Sequence, residues 1–600
     1  MSQSEQPSTN VLDTFDHVVV LMLENRSFDN LLGYLYSQEY PVPPGKKFEG
    51  VDGKNLSNPI PQDWQFMKDG KRVTDVPVAR MDRDKDLTRN SPPYPDPGED
   101  YPHVNTQLFN SQDPQPVNQP PYNLPSPVPL PTMDGFVTDY ILNYFHTEVH
   151  GLGLMAADQF YNVYKYVVES YDPADIPVVS RLAREFAVFD HWFCSVPSET
   201  ICNRNFWHSG TSWGHVINPG PADDKGDIDN GPNTESWLLD TVGDTLFSRL
   251  SLSHIDWKIY SDNHIALSET ETLSFPVTPL LHFFSFVVLS LIDPPNIFKN
   301  MLNTLQAFKN DCASGTLPAY SFIEPNFFNP HNDMHPSTPD ERVDGSQKTG
   351  SVVLGELLVW EIYNAIFTSP HHWDNTLLII TFDEHGGCYD HVRPPGRYGD
   401  NTVEPADIAT PPHLFFDRKW DDFDFDRLGL RVPMIMVSPF IAKNTIINEP
   451  MSHTSFLQTM RHKWWWLSIP FSARDHASPG FHDSGVFSTT LQRKDISQMP
   501  VIPRPVIPPD GTEYSDNAPM SPLAKRVMSL FAELWRKAFP EQPPPPIKTQ
   551  ADAAVFLRRA VATAKSKRGQ LVALDARINE SDWVPLFQVL VDELKDRHRR

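Results

Sequence analysis

Two stretches of the sequence set reactive side chains at the ends of apolar runs. In HVVVLMLENRSFDNLLGYL (17–35), the unbroken run 18–23 has the pattern of a strand covered on both faces. Glu24 and Asn25 come next, at the edge where open α/β sheets bind ligands. The same segment also reads as an ordinary helix start capped by Ser27 or Asp29. In TFDEHGGCYDHVRPP (381–395), a second apolar run ends in Asp383 and Glu384, with His385, two glycines, Asp390 and His391 after them. Adjacent carboxylates repel unless a cation or hydrogen bonds compensate them. Brought together by the fold, Glu24, Asn25, Asp383 and Glu384 would give an oxygen-only set, which suits Mg, Ca or Mn, with Zn as the alternative.

A third stretch, HWFCSVPSETICNRNFWHSGTS from His191, offers Ser195, Ser198, Thr200 and Asn203 in close succession. A hydroxyl held on a metal is a nucleophile, because the cation lowers its pKa and fixes its position. NPHNDMHPS (329–337) and MSHTSFLQ (451–458) add Asp333, His335 and His453. None of these histidines is informative alone; gathered by the fold, they could move protons.

The elements that must position these residues alternate along the chain. ADIPVVSRLAREFAVFDHWFCS reads as a helix and a buried strand, and GELLVWEIYNAIF (355–367) as a helix leading into the strand TLLIITFDE (376–384). DWKIY (256–260), AYSFIEP (319–325) and RVPMIMVSP (431–439) complete the series. The pattern predicts an α/β fold with a doubly wound, mostly parallel sheet. Residues 40–132, rich in Pro, Asp and Asn, read as a long Pro-rich insertion on the surface. Residues 1–510 read as one catalytic domain and 511–600 as a C-terminal helical appendage. In that appendage Val527, Leu530, Phe531, Leu534 and Trp535 recur at helical spacing.

The 600 residues carry 50 basic and 76 acidic side chains, a net charge of −26, which argues against nucleic acid as a partner. A phosphate ester remains compatible, because a bound cation supplies local positive charge. The 59 prolines, beside 40% hydrophobic residues, indicate long fixed loops on a globular body rather than disorder. The four cysteines show no CxxC pairing, against a zinc ribbon or a disulfide scaffold. The start, MSQSEQPSTN, has no signal-peptide pattern, and no run approaches the ~18 apolar residues of a membrane span. The expectation is a soluble protein, cytoplasmic or exported by a signal-independent route.

ENRSFDNLLGYL, MDGFV (133–137), DIPVVSRLAREFAVFDHWFCSVP, NDMHP, DEHGGCYDHVRPP and LGLRVPMIMVSPF occur in that order. Together they resemble the bacterial phosphoesterase family of non-specific phospholipases C and respiratory-burst-inhibiting acid phosphatases. The resemblance implies an alkaline-phosphatase-like fold that cleaves phosphate esters with a metal-assisted hydroxyl. By position it implies Glu24, Asn25, Asp383 and Glu384 as metal ligands, joined by Thr200 as nucleophile and ligand. Asn203 takes a phosphate-contacting slot, and His103 (in DYPHVNTQ), Asp333, His335 and His453 take phosphate-side and leaving-group-side slots. The chain departs from the family's nucleophile segment, with Ser198, Glu199 and Cys202 replacing a glycine and two prolines. An acid beside the nucleophile disfavours an anionic substrate unless it points away. Ser452 stands where an acid usually precedes the histidine.

The expected activity is that of a phospholipase C making diacylglycerol and a phosphorylated headgroup through a phospho-threonine. The alternatives are an acid phosphatase acting on small esters and a non-catalytic binding protein on the same fold. FFSFVVLSLI (283–292) and KWWWLSIPF (463–471) are apolar enough for peripheral membrane contact, or for packing under the sheet. The oligomeric state is left open.

Overall fold

An apolar run with no polar face must be covered on both sides, and the fold is organised around that requirement. The structure, a computed structural model, describes residues 11–571 except 83–91, 112–121, 147–155, most of 220–242, 267–271, 275, parts of 283–293, 329, 337–350, 400, most of 404–422, 465–468 and 508–519. Its main sheet contains β1 (His17–Leu23), β2 (Ala187–Phe189), β3 (Trp257–Ser261), β4 (Asn303–Thr304), β5 (Tyr320–Glu324), β6 (Thr376–Phe382), β7 (Met434–Val437) and β8 (Thr445–Ile447). These lie in the order β4-β3-β5-β1-β6-β7-β2-β8.

β1 is central and pairs in parallel with both β5 and β6. Residues 18–23 are fully buried. β7 is antiparallel to both of its neighbours, and the other pairings are parallel. A strand buried on both faces carries the same apolar signature in either direction, so composition foretold β7 but not its reversal.

The helices that matter for the site are α1 (Phe28–Leu32), α2 (Tyr101–Phe109), α3 (Phe136–His146), α4 (Pro177–Glu185), α5 (Thr200–Ser209), α6 (Val352–Phe367), α7 (His453–Lys463), α8 (Pro522–Ala538) and α9 (Gln550–Leu571). They cover both sheet faces. On one, Phe322 of β5 meets His208 of α5 at 4.7 Å between ring centroids, and Trp207 of α5 stacks on Phe456 of α7 at 4.2 Å. On the other, α4 and α6 are joined by a buried acid. Glu356 of α6 accepts hydrogen bonds from the Val178 and Val179 amides, satisfying the open N–H groups at the start of α4. Burial pushes its carboxyl up to about 8.

The Pro-rich insertion is more than a surface excursion. Within it Asp100 caps α2, accepting from the His103 amide, and every residue of α2 is buried. At the C-terminus, Val527, Leu530, Phe531, Leu534 and Trp535 are all buried in the same continuous core as the sheet. Phe556 of α9 packs on Phe531 and Trp535.

Among the described residues no helix is long and apolar enough to cross a membrane. Ser285, Phe286 and Leu289 of the 283–292 run are buried, and the rest of that run lies outside the described residues. So are Trp465 and Trp466.

Candidate active site and metal centre

Leu23 lies in register with Phe382, so the two strands end together and their next residues come side by side. Glu24, Asn25, Asp383 and Glu384 are all fully buried there. Asn25 takes a left-handed backbone (φ 57°), which asparagine tolerates better than most residues. This turns its amide to donate to Asp383 Oδ1 at 3.2 Å. Gly386 sits against this bend: a Cβ there would lie 2.3 Å from the Asn25 carbonyl oxygen, and its φ is +61°. Arg26 ties the loops together, its amide donating to the Glu384 carbonyl at 3.1 Å and its Nε to the Met334 carbonyl at 2.7 Å.

A cation from α5 is built into the cluster. Arg204 donates through Nε to Asp383 Oδ2 at 2.9 Å and through Nη2 to Glu24 Oε1 at 3.4 Å. It does not balance three carboxylates. Burial, and then the charge of Asp383, push the Glu24 carboxyl well above the usual range. Burial, Glu99 and Asp383 do the same to Glu384. Burial raises Asp383 despite Arg204. Glu24 Oε2, Glu384 Oε1 and Asp333 Oδ2 are buried with no hydrogen-bond partner among the described residues. Orphaned oxygens in an acid-rich, oxygen-only set fit a hard divalent cation.

Two other acidic groupings have their partners. Glu324 also ends a central strand, but it accepts from the Val277 and Thr278 amides at 2.6 Å and caps the turn there. Asp29, Asp390 and His391 are close enough together to hold an ion. Arg431 already lies between them, 2.8 Å from Asp29 Oδ1 and 2.9 Å from Asp390 Oδ1, and His391 Nδ1 is 2.6 Å from Asp29 Oδ2. This network clamps α1 to the loop after β6.

Ser27 caps α1, accepting from the Asn30 amide, as the helix-start reading of ENRS expects. Thr200 is the first residue of α5 and donates from Oγ1 to Asn25 Oδ1 at 3.4 Å. Ser198, two residues earlier, is buried with no partner for its hydroxyl among the described residues. Asn203 faces the turn instead of the centre. Its Oδ1 accepts from the Val196 amide at 3.0 Å, and its Nδ2 donates to the Ser198 and Glu199 carbonyls at 2.7 and 3.1 Å.

The histidines divide. Asp333 accepts from His331 Nδ1 at 2.6 Å and from the His335 amide at 2.9 Å, and its carbonyl accepts from the Glu24 amide. Burial opposes its charge, but His331 and then His335 hold it below the usual range. His335 donates from Nδ1 to the Pro336 carbonyl at 2.6 Å and turns Nε2 to within 3.6 Å of Glu99 Oε2. Burial disfavours its charge, but Glu99, Asp96 and Asp333 outweigh that and raise it to about 10. His453 starts α7 with Nε2 at 3.2 Å from the Phe382 carbonyl, and burial lowers it to about 4. His103 is held by Asp139 at 2.7 Å. Burial works against its charge, and Asp139 and Asp100 overcome it to give about 10.

Glu99 was not foreseen. Its Oε2 accepts from Asn25 Nδ2, so it bridges Asn25 and His335. The signal was present in PDPGEDYPH, where His103 drew attention and the acid four residues earlier did not. Gly98, just before it, leaves room for the His103 ring, since a Cβ there would lie 2.3 Å from that ring. Arg204 also went unnoticed, because an arginine inside a helix carries no mark of its partners.

The chain is similar to several known proteins. Non-specific phospholipase C6 of Arabidopsis thaliana is 32% identical over 544 residues, covering 88% of this chain and 82% of its own. Non-specific phospholipase C3 of the same plant is 29% identical over 513 residues, 83% of this chain and 78% of its own. Non-hemolytic phospholipase C of Pseudomonas aeruginosa is 25% identical over 468 residues, 76% of this chain and 54% of its own. The profile of the phosphoesterase family, whose members are generally metal-dependent, matches residues 15–466. The chain belongs to the phosphoesterase family and is a hydrolase acting on phosphate esters.

Proposed function

We propose that this chain is a phospholipase C on an alkaline-phosphatase-like framework, cleaving glycerophospholipids to diacylglycerol and a phosphorylated headgroup. The observation that carries the reading is the Thr200 hydroxyl, at the head of a helix and hydrogen-bonded to Asn25 inside the buried carboxylate cluster. The relatives named phospholipase C support the choice of a lipid diester.

A divalent cation held by Glu24, Asn25, Asp383, Glu384 and Thr200 would supply the positive charge that favours the alkoxide and neutralises the phosphoryl oxygens. Thr200 Oγ1 attacks phosphorus, and its proton passes to solvent water as the bond forms. The P–O bond to the glycerol breaks, leaving a phospho-threonine esterified to the headgroup. His335, protonated at neutral pH by its acidic surroundings, gives a proton to the departing diacylglycerol oxygen. Water then attacks phosphorus and gives a proton back to His335, the P–O bond to Thr200 breaks with Oγ1 taking up a proton from solvent, and the phosphorylated headgroup leaves. His335 suits the acid role better than His453, which burial keeps neutral. Asp333 and His331 orient His335, Asn203 shapes the turn before Thr200, and Arg204 aligns Asp383 with Glu24. His103 braces α2 against Asp139 of α3.

The test is turnover by the full chain on phosphatidylcholine vesicles, p-nitrophenylphosphorylcholine and p-nitrophenyl phosphate, with and without chelator. Phosphocholine and diacylglycerol should appear, and chelator should abolish them. Turnover confined to the monoester would make it an acid phosphatase instead.

A further inference from the structure

Glu199, the residue before Thr200, is the acid whose presence beside a nucleophile is costly for an anionic substrate. It is the N-cap of α5, yet its side chain makes no hydrogen bond to the first turn of that helix. It turns the other way. Its Oε1 accepts from the Asn218 amide at 3.1 Å, and its Oε2 meets Arg526 Nη2 at 2.7 Å. Arg526 belongs to α8, 327 residues further along the chain. Both side chains are buried, with exposures of 2% for Glu199 and 8% for Arg526. Arg526 Nη1 also donates to the Pro219 carbonyl at 2.9 Å.

The start of α8 is fastened beside the centre by a second contact. Ser521 caps α8 and donates from Oγ to the Phe327 carbonyl at 3.0 Å, and the Phe327 ring lies 5.1 Å from the Arg204 guanidinium. One helix thus reaches both the segment carrying Thr200 and the ring packed on the arginine that bridges Glu24 and Asp383.

We propose that Arg526 is a positioning residue of the active site: by pairing with Glu199 it cancels the buried negative charge next to Thr200 and holds that carboxylate away from the incoming phosphate. The C-terminal helix thereby completes the site without touching substrate. This rests on the reading of Thr200 as nucleophile. A buried acid stripped of its partner carries a large uncompensated charge, and a phosphodiester anion placed beside it is repelled. The burden therefore falls on KM more than on kcat, and removing the acid as well as the arginine relieves it.

The experiment measures kcat and KM on p-nitrophenylphosphorylcholine, and the Kd of inorganic phosphate by calorimetry, for the full-length wild type, Arg526→Ala, Arg526→Lys, Glu199→Gln and the double variant Glu199→Gln/Arg526→Ala. Arg526→Ala should raise KM and phosphate Kd at least tenfold, and Arg526→Lys by less than threefold. The double variant should return to within threefold of Glu199→Gln alone. If Arg526→Ala does not fold, the comparison of the double variant with Glu199→Gln still decides, because a purely structural arginine would leave the double variant as impaired as the single. Wild type that binds phosphate but turns over no diester would remove the phospholipase reading and leave the phosphate Kd series to test the charge pairing. Equal phosphate Kd across the series, or a double variant no better than Arg526→Ala, would overturn the proposal, as would a wild type that neither binds phosphate nor turns over.

Discussion

Asn25 accepts from Thr200 through Oδ1 and donates to Glu99 through Nδ2, so one carboxamide at the end of β1 joins the helix that starts at Thr200 to a loop from the Pro-rich insertion. An aspartate at position 25 would keep the acceptor but lose the donor, setting a new negative charge against Glu99. The amide is the group that lets both neighbours approach.

The carboxylate cluster predicts the metal requirement. Glu24→Gln and Asp383→Asn should each lower bound divalent metal, measured by inductively coupled plasma mass spectrometry, and reduce kcat/KM by about three orders of magnitude, roughly 4 kcal/mol of transition-state stabilisation. The fold should survive, since each substitution removes repulsion from a buried acid group. Full metal occupancy in a Glu24→Gln/Asp383→Asn double variant would defeat the assignment.

Stability should respond to pH in a direction set by the same groups. Glu24 and Glu384 bind protons more tightly folded than unfolded, so their contribution is present below the unfolded carboxylate pKa of about 4.5 and lost as pH rises through the folded values. In chelator, the Tm should fall as pH rises from about 5 to about 8, with a shallower fall in Glu24→Gln. Saturating divalent cation should reverse the slope, because it binds the deprotonated form. Identical calorimetric slopes for wild type and Glu24→Gln would contradict this.

Two hydroxyls compete for the nucleophile's role. Thr200→Val should abolish turnover and the acid-quenched phosphoenzyme, whereas Ser198→Ala should keep activity within about fivefold, since it is the Thr200 hydroxyl that is hydrogen-bonded to Asn25. Radiolabelled phosphoenzyme on the Thr200→Val variant would move the role to Ser198.

Glu99→Gln should lower the pKa of His335, because Glu99 is the main influence holding its imidazolium above the value burial would set. The alkaline limb of the kcat–pH profile should move to lower pH on phosphatidylcholine. On p-nitrophenylphosphorylcholine it should move little, because nitrophenolate leaves without a proton. Equal movement on both substrates would exclude His335 as the acid.

Gly386→Ala should cost about 1–3 kcal/mol and weaken metal binding, because the added Cβ meets the Asn25 carbonyl in a backbone conformation that L residues avoid. Urea melts with and without metal would measure both effects, and an unchanged midpoint in both conditions would rule out the close approach.

The four residues at the ends of β1 and β6 were legible because a fully apolar run with acids at its end is a local pattern: burial sets the run, and chain order places the acids directly after it. The stripe of α8 was legible for the same reason, through its helical period. The pairing of β1 with β6 was not, since the strands are more than three hundred residues apart and any two buried strands look alike. Pattern alone likewise could not separate Glu384, whose Oε1 is left without a partner among the described residues, from Glu324, which caps a turn, because the distinction lies in which amides the fold brings near. Glu99, Arg204 and Arg526 each gain meaning from a partner distant in sequence. Their charges act through space over a few ångströms, and only tertiary structure decides which charges those are.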